Sequence, residues 1–400
     1  MTDRQAPETK PIGPGPSSRR TLVVGAGAVG TFLGALLGSA GHDVTLVRIF
    51  EPDSSRPIDL IRPEGTRVTV PVLRITRTQD APAPDLILVA VKMPALREAL
   101  APTLLWPSVP TLTVENGIGA EEIAAQVRPG APILAGSLTA PIRLASENEV
   151  VWMGKGGLGL AAVTPNAEPL LRGLVADFGA AGLRTAQLPD AGSMKWSKLL
   201  ANLLANATGA ILDMDADRIY RDRRLFSIER RQLLEAIEVM ARLGLRPVAL
   251  PGAPVPWLAR GFRIPAWLGR PILTRAVGGA RAGKSPSLRI HVRSAAPDGP
   301  VSEPTEAPWM NGAVARAGAE LGIPTPVNAR LAELVEEVAT DPHRRAWLRG
   351  HPERLEEELA AAGALAETDA ESDALAEADG SHDGAGDRSD ASAGEVSRRP

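Results

Sequence analysis

The strongest constraint on what this chain can fold into lies within its first fifty residues. An apolar run at 21–24 leads into Gly25-Ala26-Gly27-Ala28-Val29-Gly30, a helical pattern to about residue 40, and a second strand pattern at 43–47. G-x-G-x-x-G between a strand and a helix, inside one βαβ unit, is the setting in which such glycines serve a dinucleotide. Gly25 permits the tight turn, Gly27 lets backbone approach a pyrophosphate, and Gly30 lets the helix pack on the sheet. The helix start then offers unpaired N–H groups and the positive end of its dipole to phosphates. An acidic residue closing the second strand would hold the ribose 2′-hydroxyl of NAD. This strand ends in Arg48 instead, which suits a 2′-phosphate, so NADPH/NADP+ is the expected cofactor, with Glu51 as the residue that could reverse the preference.

The run that follows fits the same class of sheet. Residues 85–91 (DLILVAV) form a continuous apolar stretch, as strands buried on both faces do, and end in Lys92. Residues 111–114 are a further strand, ending in Glu115-Asn116-Gly117, and 132–135 another. Lys92 and Asn116 thus share the carboxyl edge where open α/β sheets bind ligands. The glycine-containing stretch 150–160 suggests hairpin strands. Ser18-Arg19-Arg20 before an apolar run could pass for an export signal, but the run carries five glycines and leads directly into a second strand.

From about residue 191 the texture changes to long helices. Trp196-Ser197-Lys198-Leu199-Leu200-Ala201-Asn202-Leu203-Leu204-Ala205-Asn206 holds no Gly or Pro and is expected to be one continuous helix. On it Lys198, Asn202 and Asn206 stand at i, i+4 and i+8, an ammonium and two carboxamides on one face of an otherwise apolar rod. That face suits an anionic, oxygen-rich small molecule; a polar seam against a second helix would satisfy the same groups. Residues 227–243 are a strongly periodic helix. A Pro- and Trp-rich section at about 247–283 reads as a packing arm, with its tryptophans in the core, or as a lid. Lys284-Ser285-Pro286-Ser287 precedes a short apolar segment; TEAPWMNG at 305–312 opens a helix; and 329–338 is the closing helix.

The expected organisation is a disordered lead-in at 1–20, a dinucleotide-binding domain at 21–190, a helical domain at 191–340 and a disordered acidic tail at 362–400. A net charge of -3 with no basic, aromatic-interleaved stripe argues against nucleic acid. The absence of cysteine excludes disulfides and thiolate sites, which fits a reducing cytoplasm, and five scattered histidines show no metal spacing.

Taken together these motifs resemble the ketopantoate reductase (2-dehydropantoate 2-reductase) family over roughly 21–338. GAGAVG, VAVK ending at Lys92, ENGIG around Asn116, WSKLLANLLAN, PSL at Ser287, TEAPWMNG and GIPTPVNARL occur in the family's order. The resemblance implies an α/β Rossmann-like domain followed by an all-α domain like the C-terminal domain of 6-phosphogluconate dehydrogenase, with the site between them. It implies NADPH-dependent reduction of a 2-oxo acid, ketopantoate to pantoate in pantothenate biosynthesis, in the cytoplasm, with no membrane partner; a homodimer is compatible with it. Lys198 would be the proton donor, and Glu306 would lie beside the nicotinamide end and the reacting group. Asn202, Asn206 and Ser287 would bind substrate, Asn116 would stand where cofactor and substrate meet, and Lys92 and Arg48 would serve the cofactor phosphates. A lysine ammonium can both stabilise and protonate the oxygen that gains charge when a carbonyl accepts hydride, so no metal is needed. Three departures bear on the substrate: the extra residues SAAPDGPVSEP before Glu306, which bring Glu303 in as its competitor; Asp213, Asp215 and Asp217 where some members place an asparagine; and the 247–283 section. They make another branched or bulkier 2-oxo acid the alternative substrate. A cofactor-binding regulator without catalysis is a further alternative, but would not need Lys198, Asn202 and Glu306.

Overall fold

The computed structural model describes residues 18–48, 56–281, 286–296 and 299–365. Glu51, the residue that bears on cofactor choice, lies outside them, as do residues 1–17 of the lead-in and 366–400 of the tail. The first half runs β1 (Arg20–Val24), α1 (Ala28–Ser39), β2 (Asp43–Val47), β3 (Ile58–Ile61), β4 (Arg67–Val70), β5 (Leu73–Ile75), β6 (Leu86–Val89), α2 (Leu96–Leu100), β7 (Thr111–Thr113), α3 (Ala120–Val127), β8 (Ile133–Leu138), β9 (Ile142–Ser146), β10 (Glu149–Trp152), β11 (Leu158–Ala162), α4 (Glu168–Ala180) and β12 (Thr185–Gln187).

Eight of these strands form one sheet in the order β12-β11-β8-β7-β6-β1-β2-β5. All neighbours are parallel except β8 and β11. The strand order reverses about β1, with β2 on one side and β6 on the other, so the glycine loop after β1 opens at the topological switch point. Four short strands form a second sheet, β4-β3-β10-β9, which covers α1 from outside. The Phe32 and Trp152 rings meet edge to face there, 5.7 Å between centroids, a geometry that adds about 0.5–1.5 kcal/mol to simple burial. The apolar runs within 150–160 are therefore not a hairpin. β10 pairs with β9 and β3 while β11 pairs with β8 and β12, because the glycine-rich stretch 153–157 carries the chain from one sheet to the other.

The second half is helical: α5 (Ala191–Leu203), α6 (Ala207–Leu212), α7 (Ala216–Arg221), α8 (Arg223–Arg242), α9 (Val255–Arg263), α10 (Ala266–Arg281), α11 (Ser287–Arg293), α12 (Asn311–Leu321), α13 (Pro326–Thr340), α14 (Pro342–Leu348) and α15 (Pro352–Ala361). Asp190 caps α5 by accepting the Ser193 N–H at 2.7 Å, and Asp222 caps α8 in the same way. α5 lies between the main sheet, at β8 and β11, and the long α8, so it is apolar on most sides. Leu199, Leu203, Ile211, Phe226, Leu331 and Leu334 are fully buried, each worth about 1.5–3 kcal/mol relative to exposure.

Three expectations are corrected in this half. The helix begun at α5 does not reach Asn206. Leu204–Asn206 form a turn with Ala205 in left-handed conformation (φ 51°), and α6 starts afresh. A buried carboxylate enforces the break: Glu229 on α8 accepts the Ala205 N–H at 2.7 Å, the Thr208 hydroxyl at 2.7 Å and the Tyr220 hydroxyl at 3.1 Å. Residues 329–338 are not the closing helix, because α14 and α15 follow α13 and pack back, burying Leu348, Leu355 and Leu359. In the 247–283 section the core is filled by Val255, Phe262, Leu273 and Val277, whereas Trp257 and Trp267 point outward, Trp267 71 % exposed. No helix among the described residues is long and apolar enough to cross a membrane.

Candidate active site

The end of the cleft at the glycine loop is lined by backbone. Gly25 adopts φ +106°, and a Cβ there would stand 2.5 Å from the carbonyl oxygen of Ala90, so only glycine fits against β6. A Cβ at Gly30 would stand 1.9 Å from the Gly25 oxygen, which closes the loop on the start of α1. Gly27, by contrast, has nothing within 4 Å of its Cβ position. It is the N-cap of α1 with no side chain bonded across the helix start, so Ala28 and Val29 present a helix N-terminus to open space. Such a cradle, at the switch point, fits a pyrophosphate. Ala26 contributes through its carbonyl, which accepts the Thr31 hydroxyl at 3.2 Å and braces the loop. Arg48 follows β2 directly; its guanidinium donates to Glu147 at 3.2 Å, an ion pair largely on the carboxylate's exposed side.

The opposite wall comes from the turn after β7 and from the helical half. Gly117 (φ +86°) packs so closely on Trp309 that a Cβ would meet the Trp309 carbonyl at 2.5 Å, and the Ile118 N–H donates to that carbonyl at 3.0 Å. The ENGIG and TEAPWMNG motifs, 190 residues apart in the chain, are thus one surface. Asn116 accepts the Asn202 side-chain N–H at 3.0 Å, which ties α5 to the strand end. Lys198, half-buried, lies one helical turn before Asn202 on α5. Glu306 is half-buried, accepts the Met93 N–H, and has its pKa raised, chiefly by burial. Lys92 donates to Glu303 at 2.5 Å and stands 3.1 Å from His291 Nδ1, both across the cleft. Glu303, the competitor for the Glu306 position, is exposed, and its pKa is lowered by the Lys92 ammonium; the two glutamates therefore occupy different environments.

Asn206 stands apart from Lys198 and Asn202. Beyond the break it is buried; its Oδ1 accepts the Leu288 N–H at 3.1 Å, and its Nδ2 lies 3.5 Å from the Ser287 hydroxyl and 3.3 Å from the Met310 sulfur. Asn206 holds the start of α11 and places Ser287, rather than facing outward itself. Asp213, at the left-handed end of α6, pairs with Arg289, Arg293 and Arg349, and Asp215 pairs with Arg289, so these acids serve an ion-pair cluster.

Sequence reasoning passed over Lys195. It is buried on α5 one turn before Lys198, donates to the Glu115 carbonyl at 2.6 Å and pairs with Glu121 at 3.1 Å. A lysine inside a helix apolar on most sides was the available signal. Glu115 beside it is fully buried, its carboxyl accepting the Val91 and Val114 N–H groups, and burial pushes its pKa up to about 8.

Comparison with known proteins fits this geometry. The family described as Ketopantoate reductase PanE/ApbA matches residues 21–164, and its C-terminal counterpart matches 190–339. The chain is 28 % identical to 2-dehydropantoate 2-reductase of Pyrococcus horikoshii over 234 residues, 57 % of this chain and 75 % of that protein. It is 24 % identical to the Archaeoglobus fulgidus enzyme of the same name over 323 residues, 80 % of this chain and 98 % of the relative. Among solved structures, 2-dehydropantoate 2-reductase from Geobacter metallireducens superposes with a TM-score of 0.66 at 25 % identity, covering 80 % of this chain and 99 % of that one. A D-mandelate dehydrogenase solved with NADH and anilino(oxo)acetate shares the fold, at a TM-score of 0.63 and 20 % identity, over 82 % of this chain and 99 % of its own.

Proposed function

The chain belongs to the ketopantoate reductase family, and from that premise we propose that it reduces 2-dehydropantoate to pantoate with NADPH, a step of pantothenate and coenzyme A synthesis. The observation that carries this reading is the Asn202–Asn116 bond, which brings the Lys198-bearing face of α5 to the end of β7, at the sheet edge where ligands of such folds bind.

In this reading the glycine loop and the N-terminus of α1 hold the pyrophosphate, Arg48 the 2′-phosphate and Lys92 a neighbouring phosphate. The reduced nicotinamide, when bound, supplies the hydride. Lys198 Nζ donates a proton to the oxygen of the 2-oxo group and stabilises the charge that develops there. Asn202 orients the substrate by amide N–H donation, and Ser287, placed by Asn206, does so by its hydroxyl. Glu306, whose pKa is raised chiefly by burial, borders the reacting end.

The test is NADPH oxidation with ketopantoate by wild type and Lys198→Ala. We expect kcat to fall about 10²–10⁴-fold in the variant while NADPH still binds. A wild type that binds NADPH but turns over only bulkier 2-oxo acids would move the substrate and keep the chemistry. A wild type that oxidises NADPH with no 2-oxo acid would leave a binding protein. NADH used as well as NADPH would remove the role given to Arg48.

A further inference from the structure

Two polar ties join α5 to the end of β7, and they bracket Lys198. One is the Asn202 amide on the Asn116 side chain; the other is the Lys195 ammonium on the Glu115 carbonyl, at 2.6 Å. The tied residues on α5 are seven apart, about 10 Å along the helix axis, while their partners on the strand end are adjacent. Lys198 lies between the two ties.

The second tie is built for rigidity. Lys195, Glu115 and Glu121 are each more than nine-tenths buried. The Lys195 ammonium also pairs with Glu121 at the start of α3, whose Oε1 accepts the Thr113 hydroxyl at 2.8 Å. The Glu115 carboxyl bonds the Val91 and Val114 N–H groups and so joins the ends of β6 and β7, the strands that lead to Lys92 and Asn116. A buried ammonium is tolerated only with such partners, and once it has them its position is fixed. The cluster thus sets one helix and two strand ends against each other, though Lys195 is too deeply placed to meet a substrate.

We propose that Lys195 is a positioning residue: its buried bonds to the Glu115 carbonyl and the Glu121 carboxylate fix Lys198 against the Asn116 edge of the site. This rests on the reductase reading for its effect on turnover, but not for its effect on structure. Displacing a reacting group by about 1 Å can lower a rate 10²-fold, so the tie matters to catalysis without touching the reaction.

The experiment uses the full chain with Lys195→Met combined with Glu121→Gln. The pair leaves no orphan charge, and the new amide oxygen still accepts the Thr113 hydroxyl. Three quantities are compared with wild type: kcat and KM for ketopantoate, the NADPH dissociation constant, and backbone amide exchange over 113–118 and 196–206. The expected result is a kcat lowered about 10–100-fold with NADPH affinity within about 2-fold, and faster exchange in both segments. An unchanged kcat in an active enzyme would overturn the proposal and leave Lys195 as charge balance for Glu121. A double variant that does not fold would overturn it too, assigning the cluster to the stability of the fold as a whole. If wild type reduces no 2-oxo acid, the functional reading fails, and exchange alone decides: unchanged protection of both segments overturns the tie, and loss in both sustains it.

Discussion

The two halves of this molecule make their share of the cleft by opposite means. On the sheet side the cradle at Gly27 and the first turn of α1 is backbone, shaped by the loop's own glycines with Ala90, just past β6, behind Gly25. On the helical side they are side chains on α5, α11 and the 305–312 segment, and each is held by partners far away in the chain. A backbone cradle depends on what is left out, namely Cβ atoms. A side-chain wall depends on what is brought in. Damage should therefore be local and selective on one side, cooperative on the other.

The largest effect expected is on the helical side, at Glu229. Truncation to Ala would leave the Ala205 N–H and the Thr208 and Tyr220 hydroxyls without this acceptor inside the core. With the orphaned Ala205 N–H and Thr208 hydroxyl costing about 1–3 kcal/mol each and the Tyr220 bond to this carboxylate lost besides, we expect a loss of roughly 3–5 kcal/mol in thermal or denaturant unfolding. The α5–α6 break should lose definition with it, and turnover should fall along with stability. A variant as stable as wild type would show that the break is set by local sequence, and the contrast between the halves would weaken.

Gly25 and Gly27 sharpen the other side of the comparison. Gly25→Ala places a Cβ 2.5 Å from the Ala90 carbonyl at a positive φ and should lose about 1–3 kcal/mol of stability together with cofactor binding. Gly27→Ala meets nothing within 4 Å, so stability should stay within about 0.5 kcal/mol while NADPH affinity drops at least ~10-fold. Calorimetry and fluorescence titration on the same two proteins separate the effects. If Gly27→Ala bound NADPH normally, the cradle would not be where the pyrophosphate lies.

The same contrast explains what could be read in the sequence. The strands at 21–24 and 43–47 and the glycine loop between them are dictated by residues next to one another, so pattern alone locates them. The break at Ala205 could not be read, because Leu204 and Ala205 are good helix formers and the carboxylate that stops them arrives 24 residues later from Glu229. Lys195 was hidden for a similar reason: its meaning lies in Glu115 and Glu121, 80 and 74 positions upstream. β10 and β11 each carry a strand pattern, but no local signal says that they belong to different sheets. Trp267 shows the converse, a large apolar residue that pattern assigns to the core but that stands exposed while Phe262 and Leu273 of the same section are buried.

Between the halves, Glu115 should give stability a dependence on pH. Its folded pKa of about 8 stands above the ordinary glutamate value, so the folded protein retains a proton that the unfolded chain gives up. The stabilisation is full below the unfolded pKa near 4.3, and it declines as pH rises, being lost by about pH 8. The charges facing it, Lys195 from α5 and Glu121 from α3, act in opposite directions. The melting temperature should therefore fall between pH 5 and pH 8, and Glu115→Gln should flatten that slope at a lower overall stability, because its amide NH2 cannot accept one of the two buried N–H bonds from Val91 and Val114. An equally steep slope in the variant would assign the dependence to other groups.

The smallest effect expected is at Glu303, where the halves meet in solvent. Lys92 and Glu303 are 48 % and 60 % exposed as side chains, and ion pairs of that kind contribute about 0–1 kcal/mol. Glu303→Gln should thus leave unfolding nearly unchanged. It removes a negative charge from the lysine assigned to a cofactor phosphate, so NADPH affinity should rise, by no more than about 3-fold at low salt, and the gain should vanish in high salt where charges a few ångströms apart are screened. Titration at two ionic strengths reads this directly. A gain that survives high salt would mean that Glu303 occupies the phosphate position itself, and the helical half would then compete with the cofactor rather than merely face it.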